Sequence, residues 1–184
     1  MAILFAAIPC FAQEYGFINS SRVNLRSQPS TSGRKVATAY KYDAVNIKGL
    51  SDGWSECRVL PAVTAYEPKD YGTVYVKAEY VTPLKSDPIP ADIFNSQIYT
   101  ASEPSDDIVG SISLYRNGNS FDGNYHFISR EMRAAGGSGT VDHCEFGGTY
   151  DGKRIQINGN NMPILYDSGS NMLLMYNIIW TVEK

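Results

Sequence analysis

Histidine is almost missing from this chain, with two in 184 residues, and cysteine is hardly commoner at three. So little imidazole and thiol leaves almost no material for an oriented nucleophile–base pair or a zinc site. Cys144 directly follows His143, and neighbours along a strand point to opposite faces, which separates that thiol from that base. His126 could approach Cys144 across strands, but little else surrounds the pair, so a surface histidine is the expectation. Gly136-Gly137-Ser138-Gly139 is not a Gly-x-Ser-x-Gly elbow, and no phosphate-cradling loop or dinucleotide fingerprint is present. Asn117 to Asn124 is rich in oxygen but holds one carboxylate, Asp122, too few to grip Ca²⁺. The reading is a non-catalytic protein with no cofactor and no metal.

Clustered positive charge is also missing. Sixteen Lys and Arg are interleaved with nineteen Asp and Glu, for a net charge of −3. Nucleic-acid binding needs a basic stripe or face, so no nucleic-acid partner is expected. No segment keeps a 3.6-residue apolar period long enough for a substantial helix. A stretch of good helix formers, Ser129 to Ala135, is cut off by Gly136-Gly137 after one or two turns at best.

What the chain does have is thirteen Tyr, seven Phe and sixteen Gly, a composition of pleated strands and tight turns. The expected class is all-β. Val23 and Leu25 share one face, as do Val45 and Ile47, with a turn over Gly49 to Gly53. Asn117-Gly118-Asn119, Asp151-Gly152, Asn158-Gly159-Asn160 and Asp167-Ser168-Gly169 carry hairpin chemistry. They punctuate strands expected at 108–115, 120–128, 140–150, 154–158 and 162–166. The last run is apolar in both registers, with Met172, Leu174, Tyr176, Ile178, Trp180 and Val182 in one and Leu173, Met175 and Ile179 in the other. It reads as one long, bent strand covered on both faces. Pro83, Pro88 and Pro90 interrupt any ladder, so a stiff linker is expected over 85–91. It would join a first domain over 16–84 to a second antiparallel barrel or sandwich over 92–184.

The first twelve residues differ from the rest. Ala2 to Phe11 is an apolar run followed by Ala12 and then Gln13-Glu14, similar to the end of a secretory signal peptide. It is too short to cross a ~30 Å hydrocarbon core, so no transmembrane segment is expected. A lipoprotein anchor at Cys10 is the lesser alternative, since Ala7 and Pro9 stand where Leu and a small residue are favoured. The compartment expected is secreted or periplasmic. Cys57 and Cys144, in different domains, read as two buried free thiols.

The run Arg22-Val23-Asn24-Leu25-Arg26-Ser27-Gln28-Pro29-Ser30-Thr31-Ser32 resembles the opening of bacterial SH3 domains of the SH3b type. Lys35 to Thr38, Asp43 to Ile47, Gly53-Trp54 through Val59 and Val76 to Val81 follow in the family's order. The resemblance covers residues 16 to 84. It departs at Val74-Tyr75, where the family has Gly-Trp, and in the long segment Leu60 to Tyr71. It implies a small barrel that engages a peptide or cell-wall component, or another envelope protein. Tyr40, Tyr42, Trp54, Tyr75 and Tyr80 are the candidate contact residues, offering apolar rings with polar edges. It also places Cys57 at an inward position. The second half is faintly similar to small lipocalin-like envelope barrels, which gives small-ligand carriage as the alternative. A cell-wall hydrolase using Cys144 or His126 ranks third.

Overall fold

The computed structural model describes residues 13–61, 70–101, 108–129 and 142–183. The signal-like segment and the short helix considered beyond Ser129 lie outside these. Seven strands form the first sheet: β1 (Glu14–Ile18), β2 (Arg22–Arg26), β3 (Lys35–Tyr40), β4 (Ala44–Ser51), β5 (Trp54–Val59), β6 (Val74–Lys77) and β7 (Val81–Pro83). They pair in the order β3-β2-β6-β5-β4-β1-β7, antiparallel throughout. Alternation decides which side chains go inside. Val23, Leu25, Val45, Cys57, Val74 and Val76 fill one core at 5% exposure or less. Asp52 (φ 50°) and Gly53 (φ 79°) close the β4–β5 hairpin, left-handed at both positions as a type I′ turn requires.

The second sheet has eight strands: β8 (Gln97–Thr100), β9 (Ile108–Asn117), β10 (Ser120–Ser129), β11 (Asp142–Tyr150), β12 (Ile155–Ile157), β13 (Leu165–Asp167), β14 (Met172–Met175) and β15 (Ile178–Glu183). Their order is β12-β11-β10-β9-β8-β15-β14-β13. The protein is therefore all-β, and the only helical turns among the described residues are two short 3-10 segments, Ala78–Tyr80 and Ala91–Asn95. The final apolar run departs from the expectation of a single bent strand. Tyr176 (φ 57°) and Asn177 (φ 60°) form a tight turn, and β14 folds back on β15 with Leu173 opposite Trp180. Two-sided burial has a local cause. Leu173 and Trp180 face the interior of the second sheet, while the adjacent Leu174 and Ile179 face the first.

The curled second sheet has two short edge strands, β12 and β13, and the proline-rich segment runs between them. Asp87 N–H donates to Tyr166 O at 2.9 Å on the β13 side, and Ile89 N–H donates to Lys153 O at 2.7 Å just before β12. The Tyr150 hydroxyl donates to Ile89 O at 2.7 Å, and Ser168 donates to the Asp87 carboxylate through both N–H and O–H. These two donors hold the Asp87 carboxyl below the usual carboxylate range. The stretch read as a linker is thus tied to both edges of the second sheet through the N–H groups of Asp87 and Ile89, which flank Pro88.

Phe121, Tyr125, Tyr150, Met175 and Trp180 occupy the second interior at 5% exposure or less, and Trp180 Nε1–H donates to Met175 O at 2.9 Å. That filling argues against an enclosed ligand cavity of the lipocalin kind. A separate cluster of Phe17, Ala44, Leu84, Leu174 and Ile179 joins the two sheets. An isolated bridge between Asp43 and Ile178 and an Asn177 Nδ2–H bond to Pro61 O at 3.0 Å reinforce it.

Candidate functional site

Alternation along β2 does two jobs. It sends Val23 and Leu25 inward and leaves Arg22, Asn24 and Arg26 on the outer face. On β5 and β6 the register pairs Trp54 with Lys77 and Glu56 with Tyr75, and Arg26 of β2 stands opposite Tyr75. A groove of about 260 Å³ crosses this face, lined by Ser20, Arg22, Val23, Asn24, Arg26, Thr31, Trp54, Lys77 and Tyr80. Three of its side chains are cationic and none is a carboxylate.

Two of the three cations, Arg26 and Lys77, have partners on the protein. Arg26 Nη1 donates to Gly33 O at 2.7 Å, which fixes the guanidinium while leaving further donors for a ligand. Lys77 Nζ lies 3.4 Å from Glu79 Oε1, an exposed ion pair that water screens heavily. Tyr80 ends the 3-10 turn after β6 and packs its partly buried ring against the first core. Its backbone carbonyl accepts from Asn19 N–H at 3.1 Å. Trp54 is half-buried, giving an apolar floor beside charged walls.

Of the five aromatic candidates, Trp54 and Tyr80 line this groove. Tyr75 shares the outer face with Lys77, and its hydroxyl points to Glu56 Oε2 at 3.4 Å. Tyr40, 46% exposed, stands opposite Arg22 in register. Tyr42 lies elsewhere, at the junction of the sheets, with its ring 5.8 Å from that of Phe17 and a left-handed backbone (φ 70°). Aromatic content alone did not single out Arg22, Asn24, Arg26 and Lys77. The signal was the alternating Arg-Val-Asn-Leu-Arg, which puts two guanidiniums on one face.

The thiols do not contribute to the groove. Cys57 is fully buried in the first core, and burial, helped by the charge of Glu56, pushes its thiol up to about 12. Cys144 stands opposite Tyr125, and His126 stands opposite His143, so Cys144 and His126 are one register step apart on opposite faces. The described residues also form two hollows. One, of about 420 Å³, lies at the seam between Asp87–Ile89 and the β12 and β13 edges. The other, of about 600 Å³, is a shallow depression around Phe94 and Arg116.

Among the described residues no helix is long and apolar enough to cross a membrane. No curated protein matches the chain, and no solved structure matches it. A family model described as bacterial SH3 domain matches residues 21–82, the span that contains β2 through most of β7 and the whole groove lining except Ser20. Residues 21–82 of this chain are a bacterial SH3 domain.

Proposed function

We propose that this protein is an exported, non-catalytic adaptor whose SH3 domain binds a carboxylate-bearing peptide in the cell envelope, from the cell wall or from another envelope protein. The observation that carries this reading is the groove with Trp54 as its floor, three cationic side chains around it and no acid in its lining. A peptide carboxylate would accept from Arg22, Arg26 or Lys77, while an apolar side chain would cover the indole. Guanidinium groups suit carboxylates because they donate in a planar fork. The first apolar run supports export by its similarity to a signal peptide, and bacterial SH3 domains are often found outside the cytoplasm.

The test is calorimetric titration of the full chain with short cell-wall peptides carrying free carboxylates, against the same peptides amidated. The free acids are expected to bind more tightly, with affinity falling as salt rises. Trp54→Ala is expected to weaken binding about thirtyfold, the loss of roughly 2 kcal/mol typical of a central aromatic contact. Arg22→Glu with Lys77→Glu should remove the preference for free acids. Equal binding of acid and amide, or unchanged binding in Trp54→Ala, would refute the groove assignment. Turnover of peptidoglycan by the purified chain that disappears in Cys144→Ala or His126→Ala would refute the non-catalytic one.

A further inference from the structure

The two histidines of the chain meet. His126 on β10 and His143 on β11 are direct partners in the antiparallel register. Their rings stack with centroids 4.4 Å apart and an interplanar angle of 26°, and the two Nδ1 atoms are 3.2 Å apart. His143 is exposed and His126 half-buried. The pair lies on the face of β11 opposite Cys144, which packs at the edge of the second core.

We propose that His126 and His143 form a two-imidazole chelate for a divalent transition-metal ion, bound through both Nδ1 atoms. Two metal–nitrogen bonds of about 2.0–2.1 Å, spread between about 90° and 109°, hold their nitrogens about 2.8–3.4 Å apart. The observed separation falls inside that window. In the metal-free pair one Nδ1–H donates to the other Nδ1. In the chelate both Nδ1 lone pairs turn to the ion: the ring that had donated gives its Nδ1 proton to water and takes one up on Nε2, so that both rings then carry their proton on Nε2. Imidazole selects Cu²⁺, Ni²⁺ and Zn²⁺ over Mg²⁺ and Ca²⁺, with Cu²⁺ tightest in the usual order. Among the described residues no group of three or more His, Cys, Asp and Glu side chains is placed to hold a metal, so the proposal rests on the two imidazoles alone. Backbone register supplies the preorganisation: once one imidazole has bound, the second is already beside the ion.

The decisive probe is Cu²⁺ or Ni²⁺ alone, titrated into the untagged full chain and followed by calorimetry and by the imidazole resonances. With only two histidines present, those resonances report on this site without overlap. One equivalent is expected to bind, perturbing both rings together. His126→Ala and His143→Ala are each expected to weaken binding about 10²-fold, the usual advantage of a second tethered ligand. Cys144→Ala should leave binding unchanged. His143→Gln, which keeps a polar side chain on the same exposed face, guards against a folding defect and should lose the metal equally. Binding that survives either histidine substitution, binding lost in Cys144→Ala, or no saturation below about 1 mM would overturn the proposal.

Discussion

At the scale of single residues, Cys57 shows how burial settles chemistry. It sits on β5 opposite Ile47 and Val74, with no exposed surface and a thiol pushed up to about 12 by desolvation and by Glu56. A thiol that high is almost entirely protonated at neutral pH and is a poor nucleophile. The raised value also ties stability to pH. Above the ordinary value near 9, the unfolded chain releases this proton while the folded chain keeps it. The stabilising contribution is whole below pH 9 and is lost as pH rises toward 12, at a rate approaching ~1.4 kcal/mol per pH unit from this group. Urea unfolding between pH 8 and 11 is expected to show a shallower decline in Cys57→Ala than in the parent chain. Parallel declines would mean that the thiol titrates alike in both states. In a background with Cys10 and Cys144 replaced by Ser, a thiol reagent at pH 8 should label Cys57 only as fast as the first sheet unfolds.

At the scale of strands and turns, glycines separate packing from conformation. Gly148 of β11 faces both Ile157 of β12 and Phe121 of β10. A Cβ there would collide with the backbone oxygen of Gln156 and lie 2.7 Å from the Phe121 ring. Neither can retreat without breaking a ladder or the second core, so Gly148→Ala is expected to cost about 3 kcal/mol. Gly118 has open space around it but a left-handed φ of 62°, so Gly118→Ala should cost only about 1 kcal/mol. Equal midpoints in urea for the two variants would contradict this ranking. The Gly118 turn was legible in the sequence because Asn-Gly-Asn declares it, and β9, β10 and β11 could be read on either side. The β14–β15 turn was not. Tyr176-Asn177 holds no glycine or proline, and the flanking strands are apolar on both faces, so no change of period marks the reversal. The short β1 and β8 were missed for a related reason: four or five residues carry too little alternation to register. In the groove, aromatic residues drew attention to Trp54 and Tyr80. The partnering of Lys77 with Trp54 depends on β5–β6 register, and the stacking of His126 on His143 depends on β10–β11 register, neither of which the sequence states.

For the whole molecule, the question is whether two sheets with two cores behave as one body. Consecutive residues answer it structurally. Phe17 faces the second sheet while Ile18 enters the first core, Ala44 and Val45 divide in the same way, and on the other side Leu174 and Ile179 turn outward where Leu173 and Trp180 turn inward. All five junction residues, Leu84 included, are 7% exposed or less. Either sheet alone would present them to water, at about 25 cal/mol for each Å² of apolar surface uncovered. The chain carries its own reporters, because its two tryptophans fall one in each unit, Trp54 on β5 and Trp180 on β15. Trp54→Phe isolates the Trp180 signal, and subtracting it from the parent leaves that of Trp54. In the parent chain the two urea transitions are expected to coincide. Ile179→Ala removes apolar contact from the second unit's side of the junction, at about 2–4 kcal/mol. If the units are coupled, the Trp54 transition, in a sheet that carries no substitution, moves to lower urea together with that of Trp180. A Trp54 midpoint that stays in place while the Trp180 midpoint falls would show two independent domains. The groove and the histidine pair would then belong to bodies free to turn against each other, and the junction could not hold them in a fixed relation.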